Sequence, residues 1–259
     1  MIRVAAVGDV HVGPDSTPAL REQLATVPDR AELLLIAGDL TKSGSPEEAR
    51  ALAGELQGFG VQVVAVLGNH DHHLDREAEV ANILRDVGTV VLEGDAVVVD
   101  TPAGSVAVAG VKGFGGGFPG GAGAEFGERE MKAFIRHTKE RSDALEEALR
   151  SVQADVRIAL MHYAPVRDTL MGEPPEIYPF LGSYLLAEAV DRAGADLAIH
   201  GHAHRGREHG VTPGGVHVRN VAQTVIRTGY AVFEFGPDTS RGAPVSTSVS
   251  TSSPADGAG

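Results

Sequence analysis

The chain reads as an α/β protein built on a parallel β-sheet with helices against its faces. Three observations carry that reading. The apolar runs Val4–Val7, Leu33–Ala37 and Val61–Leu67 have the length of fully buried strands. Amphipathic stretches separate them, giving a strand–helix–strand–helix–strand order. Each run also ends at a short polar block rich in Asp, Asn or His, so chemistry-bearing side chains would emerge at one sheet edge.

The elements follow in order. After Val4–Val7, residues Pro18–Val27 have helical spacing, with Thr17 as N-cap and Pro18 at the first helical position. Leu33–Ala37 is the second strand. Ser45 and Glu48 have capping-box spacing and Pro46 suits a first turn, so a helix is predicted from there to about Phe59, where the flanking glycines stop it. Val61–Leu67 is the third strand and Glu77–Val87 the third helix. Val90–Leu92, Ala96–Val99 and Val106–Ala109 read as short strands with tight connections, partly antiparallel. The glycine-rich stretch Gly113–Gly123 matches neither a dinucleotide nor a P-loop fingerprint, and a mobile surface loop is expected there in preference to a substrate-covering lid. Glu125–Val152 is a long charged amphipathic helix. Val156–Met161 is a strand, Tyr184–Ala193 a helix, Leu197–Ile199 a strand, and Val216–Val221 and Ala231–Phe235 close the fold. From Pro237 the chain is rich in Ser, Thr, Pro, Gly and Ala, so 1–236 is expected to be one domain and 237–259 a disordered tail.

Bulk properties narrow the function. The chain has no cysteine, which excludes disulfides and thiolate metal sites. No apolar stretch is long enough for a membrane span or a signal-peptide core, so a soluble cytoplasmic protein is expected. A net charge of −13 with no Lys/Arg run interleaved with aromatics disfavours nucleic acid as a partner. A small phosphate ester remains compatible, because a metal site reverses the local potential. Oligomeric state is left open.

Five blocks carry the chemistry: Asp9-Val10-His11, Gly38-Asp39, Gly68-Asn69-His70-Asp71, His162, and Gly201-His202-Ala203-His204. Each offers carboxylate, carboxamide or imidazole donors, the usual ligands of divalent transition metals. In an extended segment the spacing of Asp9 and His11 puts both side chains on one face, able to grip one ion. His202 and His204 share that spacing, but at a turn they could diverge onto two ions.

The ordered blocks resemble the calcineurin-like metallophosphoesterase family over about Val4 to His204. The resemblance implies a four-layer α/β fold, a sandwich of two mixed β-sheets flanked by helices. It implies two divalent ions, manganese, iron, zinc or cobalt. One would be held by Asp9, His11, Asp39 and His204, the other by Asp39, Asn69, His162 and His202, with Asp39 bridging. Two such ions carry four positive charges, of which Asp9 and Asp39 cancel two, leaving a positive pocket for phosphate. A bridging water would drop from a pKa of about 16 toward about 7, and the resulting hydroxide would attack phosphorus. The resemblance makes His70 a substrate-facing residue that protonates the leaving oxygen or stabilises its charge. Asp71 would orient the His70 imidazole and raise its pKa.

The second block continues Leu40-Thr41-Lys42 and the third ends in Asp71, unlike protein phosphatases of this superfamily. The forms Gly-Asp-Leu-Thr and Gly-Asn-His-Asp are similar to bacterial cyclic-nucleotide and glycerophosphodiester phosphodiesterases. The leading expectation is a hydrolase of small phosphodiesters, with a phosphomonoesterase as the alternative. A nuclease or a non-catalytic phosphoesterase-like scaffold stands behind these. Tyr163, Arg167, Arg205 and Lys112 are candidate phosphate or leaving-group contacts. His72 and His73 are expected in a solvated loop, and His200 in the strand end. Asp155 and Asp196 read as turn residues before strands, and His137, His209 and His217 have no motif support.

Overall fold

Strand β1 (Ile2–Val7) leads to helix α1 (Thr17–Leu24) and the single turn α2 (Val27–Arg30), then β2 (Leu33–Ala37), α3 (Pro46–Leu56), β3 (Gln62–Val66), α4 (Glu77–Asp86) and β4 (Val90–Leu92). The chain continues through β5 (Asp95–Thr101), β6 (Gly104–Val111), the hairpin β7 (Gly117–Phe118) and β8 (Gly121–Ala122), α5 (Arg129–Ser151) and β9 (Val156–Met161). It closes with α6 (Tyr178–Leu181), α7 (Tyr184–Ala193), β10 (Leu197–His200), β11 (His209–Val211), β12 (His217–Asn220), α8 (Gln223–Ile226), β13 (Ala231–Phe235) and β14 (Val245–Ser248). This computed structural model describes residues 1–13, 17–236 and 245–248.

Two six-stranded sheets result, in the orders β14-β13-β1-β2-β3-β4 and β11-β12-β10-β9-β6-β5. Both are mixed. In the first, β1 to β4 run parallel and β13 pairs antiparallel with β1. In the second, β6, β9, β10 and β12 run parallel, with antiparallel β5 and β11 at the edges. The sheets stack on a core of Val4, Leu33, Leu35, Val64, Val106, Val108, Ile158, Leu160, Leu197, Ile199 and Phe233, nearly all fully buried. Each such side chain contributes about 1.5–3 kcal/mol on leaving water. The outward residues of the first sheet, among them Leu34 and Ile36, pack against Leu52 of α3 and Leu84 of α4. Those of the second, among them Ala159 and Ala198, pack with Leu145 of α5 and Val190 of α7. Burial on both faces explains why the runs Val4–Val7 and Leu33–Ala37 are apolar without a break and do not alternate. The layers are therefore helix, sheet, sheet, helix, as the four-layer sandwich predicts.

Local chemistry fixes several boundaries. Ser45 caps α3 by accepting the Glu48 N–H at 3.2 Å. The Glu48 carboxylate does not complete the box but accepts the N–H and hydroxyl of Ser43 at 2.8 and 3.0 Å. α1 stops at Leu24, short of the predicted Val27, because Pro28 lacks the N–H that a continuous helix would donate to the Leu24 carbonyl. Gly194 closes α7 in the left-handed conformation at φ 74°. The long helix is unbroken over Arg129–Ser151.

The glycine-rich stretch differs from the expected mobile surface loop. Gly115, Gly116, Gly117 and Phe118 are buried. The Gly116 N–H donates to the Pro179 carbonyl at 2.7 Å and the Gly117 N–H to that of Gly182 at 2.9 Å. A Cβ on Gly115 would stand 2.5 Å from the Pro179 oxygen, so glycine lets this segment pass beneath α6. Of the tail, 237–244 and 249–259 lie outside the described residues, while Val245–Ser248 pair antiparallel with β13.

Candidate metal centre

Parallel pairing brings the C-terminal ends of β1, β2 and β3 in one sheet opposite those of β9 and β10 in the other. The five blocks lie in the turns at those ends, and the structure brings all of their donor residues together. Ligand atoms of Asp9, His11, Asp39 and His204 lie within 4.8 Å of one another, as do those of Asp39, His162 and His202. Asp39 belongs to both groups. Asn69 joins the second, with Oδ1 2.9 Å from His162 Nε2.

The backbone reaches this arrangement differently from the extended geometry assumed for Asp9 and His11. Among the described residues six non-glycine positions take positive φ, and four of them are Asp9 (59°), His11 (42°), Asp39 (50°) and His202 (69°). Left-handed backbone is unfavourable for residues with a Cβ and persists where surrounding structure imposes it. β1 ends at Val7, so Asp9 and His11 converge through a coiled turn and not along a strand face. Two glycines make the crowding possible. A Cβ on Gly68 would collide with the Asp39 carboxylate, and one on Gly38, at φ 82°, with the His162 ring.

Hydrogen bonds set the direction of each donor. The His70 N–H donates to Asp39 Oδ1 at 2.9 Å, aligning that carboxylate. Asp9 accepts the His202 N–H at 3.0–3.1 Å and faces His204 Nε2 at 2.9 Å. Burial raises the Asp9 pKa against those bonds, and the Asp9 contact raises that of His204. Burial holds the His162 and His202 rings well below the usual imidazole range, and lowers His11. These three rings are therefore neutral at pH 7, the state a metal requires.

His162 tests whether the residues fit a metal. Its Nδ1 lies 2.9 Å from the Ala37 carbonyl, which can only accept, so Nδ1 carries the proton. In the neutral ring Nε2 is then a lone pair. It faces Asn69 Oδ1 at 2.9 Å and Asp39 Oδ1 at 3.3 Å, both acceptors. Three lone pairs converge in a buried space, and a cation at their focus removes the repulsion. Across the site His11 Nε2 is buried without a hydrogen-bond partner, 3.7 Å from Asp39 Oδ2. His202 Nε2 lies 3.4 Å from the Phe180 carbonyl, which leaves Nδ1 as its lone-pair nitrogen. The donor set fits a pair of divalent ions.

Asp71 departs from the expected contact. It is fully buried, and its carboxylate accepts the Thr41 N–H (2.8 Å), the Thr41 hydroxyl (2.6 Å), the Gly68 N–H (2.8 Å) and the Leu40 N–H (3.1 Å). Burial pushes its pKa up to about 6 against those bonds. The His70 ring is held by the Lys42 carbonyl, 2.8 Å from Nδ1, and not by Asp71, whose oxygens are fully engaged. Asp71 thus ties the Asp39 turn to the Asn69 turn.

The neighbours sort clearly. His200 is buried between the Gly201 carbonyl (2.7 Å) and Thr169 Oγ1 (2.8 Å), and burial lowers its pKa to about 4. Asp155 and Asp196 accept backbone N–H groups of Ser105 and Arg157, both at 2.8 Å. His72 is half-buried and His73 exposed. Arg167 stacks on Tyr178, 5.6 Å from the ring centre, and Arg205 is anchored through its backbone to Glu173 at 2.7 Å. The Tyr163 ring lies 4.4 Å from that of His202. Sequence reasoning missed Asn220, whose amide donates to the Ala203 carbonyl at 2.8 Å and steadies the last block. It also missed Thr41 as a positioning residue, although that residue stood in the second block.

Residues 2–206 match the sequence model of the calcineurin-like phosphoesterases. The chain belongs to that family. It is thus a member of a family of metal-dependent phosphoester hydrolases, and its Asp/His clusters can hold metal. Among solved structures the family fold recurs in the phosphopantetheinyl hydrolase of Mycobacterium tuberculosis, with a TM-score of 0.68 and 17% identity over 92% of this chain and 97% of that one. It recurs also in the protein TT1561 of Thermus thermophilus, with a TM-score of 0.59 and 17% identity over 95% and 98%. No curated protein matches the chain. No helix among the described residues is long and apolar enough to cross a membrane.

Proposed function

We propose that this calcineurin-like phosphoesterase hydrolyses small phosphodiesters at a centre of two divalent ions. One ion would be held by Asp9, His11, Asp39 and His204, the other by Asp39, Asn69, His162 and His202. The observation that carries the reading is the His162 ring, whose Ala37 hydrogen bond turns a lone pair onto two oxygens. When bound, such ions activate water and neutralise phosphoryl oxygens.

The chain's own groups do the rest. Asp39 spans both clusters and is aligned by the His70 N–H. The His70 ring is 44% exposed at the mouth of the site, 4.6 Å from the His11 ring. Its Nδ1 proton goes to the Lys42 carbonyl, so Nε2 is the nitrogen that meets substrate. In the protonated ring Nε2 gives its proton to the departing alkoxide oxygen, which suits diesters with poor leaving groups. Asp71 acts through the turns it joins and is a positioning residue.

Turnover of bis(p-nitrophenyl) phosphate by metal-reconstituted protein, compared with p-nitrophenyl phosphate, tests the reading. Higher efficiency on the diester is expected, and His70→Ala should slow diethyl phosphate, whose alkoxide needs the proton, far more than the p-nitrophenyl diester. Higher efficiency on the monoester with little effect of His70→Ala would make the protein a phosphomonoesterase. A phosphopantetheinyl ester joins the substrate panel, because the mycobacterial protein of like fold is a phosphopantetheinyl hydrolase.

A further inference from the structure

β6 runs parallel to β9 with Val111 opposite Met161, so the next residue of each strand, Lys112 and His162, stand side by side at the same sheet edge. The Lys112 carbonyl accepts the N–H groups of His162 and Tyr163, both at 3.1 Å. Its side chain turns inward and the residue is only 8% exposed. The ammonium lies 4.8 Å from the centre of the Phe114 ring and 5.1 Å from that of Tyr163. Its one hydrogen bond is a long one, 3.4 Å to the Gly113 carbonyl. Among the described residues no carboxylate forms an ion pair with Nζ. Glu93 acts on Lys112 from farther off, but its oxygens are taken by the Lys112 N–H at 2.8 Å and by Arg141 Nη1 at 3.0 Å.

An ammonium has three protons to donate, and a buried one is costly unless its charge is matched. Aromatic faces attract a cation without neutralising it. The ammonium is therefore short of an anion in a protein whose net charge is −13. The same position connects to the metal centre. Tyr163, whose ring the ammonium faces, packs against His202 at 4.4 Å. From Phe114 a run of rings leads outward. Phe114 lies 4.9 Å from Phe134 and 4.8 Å from His137, and Phe134 lies 6.4 Å from the exposed Phe180, whose carbonyl faces His202.

We propose that Lys112 forms a second anion subsite beside the metal centre, which receives a carboxylate or phosphate carried by the substrate in addition to the phosphoryl group that is cleaved. This rests on the phosphodiesterase reading and narrows it to diesters with a further anionic group on one arm. The rings of Phe114, Phe134 and Phe180 line the path of that arm, and Lys112 meets its charge.

Three p-nitrophenyl phosphodiesters differing only in the second arm, propyl, 2-carboxyethyl or 3-phosphopropyl, test the subsite on the metal-loaded full chain. Wild type should favour a charged arm. In Lys112→Gln the ratio of kcat/KM for charged over propyl arms should fall by about tenfold or more, chiefly through KM, and Lys112→Arg should restore much of it. Preference between the carboxylate and phosphate arms identifies the anion. A ratio unchanged in Lys112→Gln, whether or not all rates fall together, overturns the proposal and leaves Lys112 as a packing residue. A parallel calorimetric titration uses propylphosphonate, 3-phosphonopropionate and propane-1,3-diphosphonate. If wild type hydrolyses none of the diesters, the phosphodiesterase reading fails, and the titration alone decides the subsite. Tighter binding of the doubly anionic ligands by wild type, lost in Lys112→Gln, supports it, and equal binding overturns it. Lys112→Met, which keeps the apolar stem, serves where Lys112→Gln does not fold.

Discussion

The two donor clusters that share Asp39 sit in unlike surroundings. The first, with Asp9, His11 and His204, opens to solvent, and its imidazoles are 25% and 40% exposed beside the half-exposed His70. The second centres on a fully buried His162, and its His202 packs against the Tyr163 ring. Burial holds the His162 and His202 rings neutral, whereas the Asp9 carboxylate raises His204. The contrast teaches that folding fixes the lone pair of the buried His162 through the Ala37 carbonyl, while the partly exposed His204 is held only by its contact with Asp9. One side buries its central imidazole and the other turns His204 and His70 toward solvent.

The comparison breaks most completely at its shared member. Asp39→Ala should lower turnover of bis(p-nitrophenyl) phosphate by on the order of a thousandfold or more. It should also leave fewer than two ions per chain by metal analysis, because each cluster loses a carboxylate. Next in size, His70→Ala should cost about a hundredfold in kcat on diethyl phosphate, whose alkoxide needs the proton, and much less on bis(p-nitrophenyl) phosphate. Metal content should stay at two, since His70 contributes an N–H and not a ligand to Asp39.

Chelation sharpens the difference between the halves. Ion loss to excess chelator, followed by atomic absorption, should be biphasic, with the open cluster emptying first. His162→Ala should abolish the slow phase, and His204→Ala should alter the fast one. The smallest effect falls outside both clusters. Asp71→Asn replaces a carboxylate oxygen by a donor that faces donors, and should cost about 2 kcal/mol. Thermal melting of the metal-free protein should drop by about 4–8 °C.

Much of the first sheet was legible, because Val4–Val7 and Leu33–Ala37 are uninterrupted apolar runs and Ser45 caps the helix that follows the second of them. The donor residues were legible for a related reason: they follow such runs directly. The second sheet was harder to read. Its β6–β9 pairing spans the glycine-rich segment and the whole of α5, and no local pattern states which strand is the neighbour. Gly113–Gly123 carries the composition of a free loop, yet it is held by carbonyls of Pro179 and Gly182 far along the chain. Likewise the turn at Asp9 and His11 reads as extended, and only tertiary contacts force its left-handed backbone. The role of Asp71 was misjudged because adjacency to His70 suggested a contact that the 3₁₀ turn at His70–His72 does not make. The setting of Lys112 depends on the Phe114 and Tyr163 rings, and sequence order does not bring Tyr163 to it.

Anomalous diffraction from crystals of the manganese-reconstituted protein tests the central claim most directly. Two peaks should flank the Asp39 carboxylate, one against His11 and His204 and one against His162 and His202. A single ion, or ions bound without Asp39 between them, would contradict it.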